Sequence, residues 1–184
     1  MSVAIVHDWL TGMRGGERCL EAFCELFPDA DLYTLLHIKG TVSPTIERHR
    51  ITTSFVQSFP LVARYYRYYL PVFPFAIERF RLPSYDLVLS SSHCVAKGIR
   101  PPAGGKHLCY IHSPMRYVWD QFDNYARGGR SGVVARLGME LFRKRLQAWD
   151  VASAARVDQF VANSHNIAGK VQRYYNRSAV VLHP

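Results

Sequence analysis

Residues 110–121, Tyr-Ile-His-Ser-Pro-Met-Arg-Tyr-Val-Trp-Asp-Gln, set His112, Arg116, Trp119 and Asp120 inside nine positions. Loops that leave strands are usually short and built of Gly, Ser, Asn and Asp, so the fold alone does not require this density of functional side chains. An imidazole titrates near neutrality and has a nitrogen on each side that donates or accepts, a guanidinium brings five fixed donors, and a carboxylate only accepts. That set suits ligands rich in hydroxyl and phosphate groups. Two readings stand for the neighbours of His112. Arg116 and Asp120 either pair with each other to fix the loop or bind a ligand directly, and Trp119 either stacks on a ligand ring or anchors the loop in the core.

The element that positions them is the apolar run His107-Leu108-Cys109-Tyr110-Ile111, which reads as a buried strand. Pro114 cannot continue it, so His112 and Ser113 lie at the strand end, where α/β proteins hold ligands. A second strand-end cluster stands at the N-terminus. Val3-Ala4-Ile5-Val6 is followed by His7-Asp8-Trp9 and then by Gly15-Gly16, which opens a helix over Glu17–Phe27. Cys19, Leu20, Phe23, Cys24 and Phe27 fall on one face of it. Paired glycines at a helix start allow close approach to the backbone, and the free N–H groups favour an anion such as phosphate or diphosphate. The pair also serves simply as a turn, and its spacing matches neither a P-loop nor Gly-x-Gly-x-x-Gly.

Strands alternate with helices along the chain, which predicts an α/β fold with a doubly wound, Rossmann-like parallel sheet. Further strands are expected at Asp31–Leu36, Arg50–Thr53, Asp86–Ser90, Gln159–Ala162 and Ala179–Leu182. Leu61–Phe80 reads as helix broken by Pro71 and Pro74, and Gly128–Gly132 as a loop. A long helix is expected over Val133–Ala155, with Val134, Leu137, Leu141 and Trp149 facing in, and another over Ser164–Tyr174 capped by Ser164. His7-Asp8 and Ser92-His93, at strand ends, face the same crevice as His112.

The 184 residues suit one domain, with ordinary globular usage of 48% hydrophobic and 20% charged residues. The start of the chain lacks the pattern of a signal peptide and no apolar stretch reaches 18 residues, so a cytoplasmic location is expected. The four cysteines show no Cys-x-x-Cys pairing and read as free thiols. No metal site is expected, since the histidines lack ligand spacing. A net charge of +9 calls for an acidic partner or surface. Between residues 64 and 81 lie seven aromatics and four arginines against Glu78 alone. Either this stretch is a core helix with an arginine face, or its rings enter a bilayer interface while the arginines meet anionic headgroups. Nucleic acid is not the expected partner, because no RNP, zinc or helix-turn-helix pattern accompanies the charge.

Three stretches, His7-Asp8-Trp9 with Gly15-Gly16-Glu17-Arg18, then Tyr110 to Asp120, then Phe160-Val161-Ala162-Asn163-Ser164 leading into a helix, resemble the N-terminal half of glycosyltransferase family 4. These are the retaining GT-B enzymes, and the likeness is greatest to their bacterial mannosyltransferase-like branch. The resemblance implies one half of a GT-B architecture, a single acceptor-side domain over residues 1–184. The implied reaction moves a hexose such as mannose from a nucleotide-sugar, GDP- or UDP-linked, to a surface glycan or a lipid-linked saccharide. The donor is then a substrate, and no cofactor is implied. It places His112 beside the transferred sugar, where it positions and stabilises charge without covalent attack. Gly15 and Gly16 would set N–H groups against the donor's phosphates or sugar, and Asp8, Arg116, Trp119 and Asp120 would bind the acceptor. Asn163 and Ser164 read as a helix cap.

In the family the nucleotide is held largely by a second domain with a Glu-x7-Glu signature. Glu17 and Glu25 have that offset but sit in the first helix, and the chain stops at Val180–Pro184, where the family crosses to the second domain. The donor-binding domain is therefore expected to be absent from this chain, which alone is expected to be inactive. A non-catalytic module that binds a glycan or lipid-linked saccharide is the alternative. An unrelated dinucleotide enzyme would require an acidic residue after the second strand, where His37-Ile38-Lys39 stands instead.

Overall fold

The computed structural model describes residues 1–119 and 133–184, without the side chains of 133–140. Asp120, the Gly128–Gly132 stretch, and the side chains of Val134 and Leu137 lie outside the described residues. Seven strands, β1 (Val3–His7), β2 (Asp31–Thr34), β3 (Ile51–Thr53), β4 (Leu87–Ser92), β5 (Lys106–Ile111), β6 (Gln159–Ala162) and β7 (Ala179–Val181), form one sheet in the order β3-β2-β1-β4-β5-β6-β7. Every pairing is parallel. The chain winds outward from β1 to β3, returns to the other side of β1, and winds outward again from β4 to β7. This is a Rossmann-like doubly wound fold, and its switch point lies between β1 and β4.

Alternation along the strands explains why both faces are covered. Val3 and Ile5 of β1, with Leu32 of β2, pack on one side against Leu20 and Cys24 of α1 (Gly15–Leu26) and Ile46 of α2 (Pro44–Glu47). Ala4 and Val6, with Tyr33 and Val88, pack on the other against Val62 of α3 (Val62–Tyr65), Phe73 and Ile77 of α4 (Phe73–Glu78), Val118 of α5 (Arg116–Trp119) and Leu146 of α6 (Val133–Ala154). A third cluster joins Cys109 and Ile111 of β5 to Ile167 and Val171 of α7 (His165–Tyr175). Burial of each such aliphatic side chain contributes roughly 1.5 to 3 kcal/mol. Among the described residues no helix is long and apolar enough to cross a membrane.

Some boundaries differ from the sequence expectation. β2 stops at Thr34, because beyond it the backbone bonds to the segment following β1: Leu35 N–H donates to Asp8 O and Leu10 N–H to Leu36 O. Residues 61–80 are not one broken helix. α3 gives way to a 3-10 helix at Tyr66–Val72 that contains Pro71, and α4 restarts with Pro74 in its first turn, where a missing N–H costs nothing. Leu141 is 71% exposed, contrary to expectation. The inward stripe of α6 runs instead through Leu146, Trp149, Asp150 and Ser153.

Candidate functional site

At the C-terminal ends of β1, β4 and β5 a cleft of about 640 Å³ opens, lined by Gly15, Gly16, His112 and Arg116 from the sequence-derived set. Register explains the convergence. His7 and Ser91 are partners across β1 and β4, and His112 follows the last residue of β5, Ile111, which pairs with Ser92. His112 N–H donates to Ser92 O at 2.8 Å, which fixes the first loop residue to the sheet. Its Nε2 lies 2.9 Å from Ser91 Oγ, and Ser91 Oγ lies 3.1 Å from His7 Nδ1. Asn163, at the end of β6, donates through Nδ2 to His112 O at 3.3 Å. Burial, reinforced by His7 and His93 nearby, pushes the His112 imidazole down to about 3, so it is neutral at physiological pH.

α1 begins at this cleft. A Cβ built on Gly16 would lie 3.7 Å from His7 Cε1 and 3.9 Å from His112 Nε2, so the absent side chain keeps open the space between the helix and the two rings. Glu17 is buried in the first turn and its Oε2 accepts the Arg14 N–H at 3.1 Å. Burial opposes the charge on Glu17, but His7 and the backbone donors hold its carboxyl below the ordinary value. Arg14, Arg67, Arg116 and Lys170 surround the opening, and Glu17 is the one acid among the described lining residues. Helix N-terminus and cations together favour an anionic ligand.

The remaining members of the expected set have other tasks. Asp8 is fully buried and does not reach the cleft. Its carboxylate accepts N–H bonds from His93, Cys94, Val95 and Ala96 at 2.6 to 3.0 Å and pairs with His93 Nδ1 at 3.1 Å. Burial alone would raise its pKa, and His93, His7 and these N–H groups hold it below the usual value instead. Asp8 thus ties the end of β1 to the loop after β4, with both oxygens occupied. Trp119 is also an anchor: its ring stacks on Tyr174 at 4.2 Å and its Nε1 donates to Asp150 Oδ2 at 2.8 Å. Asp120 is outside the described residues. Ser164 caps α7 by accepting from Ile167 N–H, as expected, while Asn163 lines the cleft.

Sequence reasoning placed His7 at the crevice without giving it a role, and did not select Ser91, Arg14, Glu17, Arg67 or Lys170 for the site. The strand-end rule, applied to the whole run Ser90-Ser91-Ser92, would have reached Ser91; nothing in the sequence announces Arg67 or Lys170, which arrive from distant elements.

The aromatic stretch divides itself. Tyr66 and Phe73 are buried, with ring centroids 5.2 and 5.9 Å from Trp9. Phe55, Leu61, Tyr65, Tyr68 and Phe75 are exposed, Tyr68 by 80%, and Leu61 is held in the left-handed region at φ 50°. Arg64 and Arg79 lie over the rings of Tyr65 and Phe75. No protein-family model matches the chain, and a search of curated proteins finds no significant match.

Proposed function

We propose that this chain is the N-terminal, acceptor-side domain of a retaining glycosyltransferase that moves a hexose, mannose-like, from a nucleotide-sugar to a surface-glycan or lipid-linked acceptor. The observation that carries the reading is the meeting of His112 with the start of α1 at the switch point, where a neutral imidazole lies 3.9 Å from the Cβ position of Gly16 and cations ring the opening. Backbone N–H groups of Gly15 and Gly16, with Arg14 or Arg116, would take the charge that builds on a leaving diphosphate. His112 would hydrogen-bond the sugar as its bond to that diphosphate breaks. The base and ribose are assigned to residues outside this chain.

The exposed rings of 55–75, with Arg64 and Arg79 among them, suit an anionic membrane surface, which would bring a lipid-linked acceptor to the cleft edge at Arg67. In the alternative, a non-catalytic saccharide-binding module, His112 would bind a sugar hydroxyl and its loss would weaken binding with no turnover to lose. Joined to a donor-binding domain, the chain with His112→Ala should keep its fold and lose turnover by roughly two to three powers of ten, the usual effect of removing one transition-state contact. More than half of the rate retained would make His112 structural and end the assignment.

A further inference from the structure

His7 holds the least satisfied polar atom in the site. The ring is fully buried; Nδ1 meets Ser91 Oγ, but Nε2 has no hydrogen-bond partner among the described residues, and the nearest charge is Glu17 Oε1 at 4.0 Å. Four groups therefore stand in a row, Glu17, His7, Ser91 and His112, with Glu17 and His112 both lining the cleft. The row has few arrangements of protons. Ser91 has a single hydroxyl proton, so it cannot donate to both rings.

We infer that Glu17 sets the tautomer of His112 through His7 and Ser91, so that His112 Nδ1 is left as a hydrogen-bond acceptor. The ionised carboxylate repels a nitrogen lone pair and favours an N–H, which puts the proton of a singly protonated His7 ring on Nε2. Nδ1 of His7 then accepts the Ser91 hydroxyl proton, Ser91 Oγ accepts from His112 Nε2–H, and His112 Nδ1 keeps a lone pair. That lone pair can receive an O–H or N–H of a ligand and is repelled by an unprotonated phosphate oxygen. On the glycosyltransferase reading, on which this rests, phosphate would take the N–H groups of Gly15 and Gly16, and a sugar hydroxyl rather than a phosphate oxygen would suit the free nitrogen of His112. His93, paired with Asp8, is the other ionisable ring near the row, 5.8 Å from His7 and 6.4 Å from His112 between centroids.

Glu17→Gln should invert the row. The Arg14 N–H holds the oxygen at the Oε2 position, so the amide NH2 faces His7 and its positive end favours a lone pair on Nε2. His7 Nδ1–H then donates to Ser91, Ser91 donates to His112 Nε2, and the His112 proton moves to Nδ1. Nitrogen NMR of the ring-labelled chain, read on rings that carry a single proton, reports these states without ligand or activity. The wild type should show Nε2–H on both His7 and His112, and Glu17→Gln should show Nδ1–H on both. With Ser91→Ala added, His112 should no longer respond to Glu17→Gln. Nδ1–H on either ring of the wild type overturns the inference whether or not the variant folds, as does a His112 tautomer unchanged by Glu17→Gln or changed equally without Ser91. Because no substrate is used, such a failure leaves the glycosyltransferase reading to its own test.

Discussion

Two polar clusters lie on either side of the loop that follows β5, and they are built from similar residues to opposite ends. Behind the loop, Lys97 is 1% exposed; its Nζ donates to Asp150 O and Ser153 Oγ at 2.6 Å each and forms an ion pair with Asp150 Oδ1 at 3.0 Å. Asp150 Oδ2 accepts from Trp119 Nε1 and Tyr175 OH, and the Lys97 ammonium lies over the rings of Trp149 and Tyr175. In front of the loop, the cleft leaves His7 Nε2 without a hydrogen bond and the start of α1 open. A buried polar group without a partner costs about 1 to 3 kcal/mol. The closed cluster spends that chemistry on holding α5, α6 and α7 together. The open one leaves Arg14, the start of α1, His112 and Arg116 facing a cleft.

The sharpest way to break the contrast is at Lys97. Lys97→Ala leaves the Asp150 carboxylate buried without its cation and should cost about 3 to 5 kcal/mol in urea unfolding. A loss below about 1 kcal/mol would mean the rear cluster holds nothing.

A pair of glycines makes the comparison at one methyl group. A Cβ on Gly98 would meet Trp149 Cζ2 at 2.5 Å, so Gly98→Ala should destabilise by roughly 1 to 3 kcal/mol. Gly16→Ala makes only ordinary contacts and should change stability by less than about 1 kcal/mol, while the methyl fills the space between the two imidazoles. In the chain joined to a donor-binding domain it should still lower turnover tenfold or more, the equivalent of about 1.4 kcal/mol. Equal stability losses at the two glycines would erase the distinction between packed and open.

The smallest effect is expected at the exposed rings. Vesicles rich in anionic lipid should sediment the chain at low salt and release it at high salt, as screening shortens the reach of headgroup charge. Arg64→Glu with Arg79→Glu should weaken that binding. Sedimentation that is the same for neutral and anionic vesicles would remove the membrane from the account.

Period and punctuation carried most of the fold. Apolar runs such as Asp86–Ser90 and Gln159–Ala162, and the cap at Ser164, are local signals that tertiary structure had no reason to override. The segment 61–80 was harder, because its prolines permit helix only in pieces and its aromatics alternate between core and surface. Strand-end position led to His112 and the helix start to Gly15 and Gly16, all of which line the cleft, but position alone could not tell Asp8 from His7. Both close β1, and only the backbone of residues 93–96 folding over Asp8 removes its carboxylate from the cleft. For Trp119 the sequence left a stacking ring and an anchor equally open, and the bond of its Nε1 to Asp150, thirty-one residues on, makes it an anchor.

Titration of the isotope-labelled chain with GDP- and UDP-hexoses, followed by NMR, tests most directly the claim that the open cluster receives a sugar diphosphate. The amides of Gly15, Gly16 and Glu17 and the ring of His112 should shift, with a dissociation constant of about a millimolar or weaker. A few water-exposed hydrogen bonds cannot offset the cost of immobilising a flexible ligand whose base and ribose find no contacts here. Micromolar affinity would contradict the division of labour by placing the whole donor on this chain, and an unmoved Gly16 would contradict the site itself.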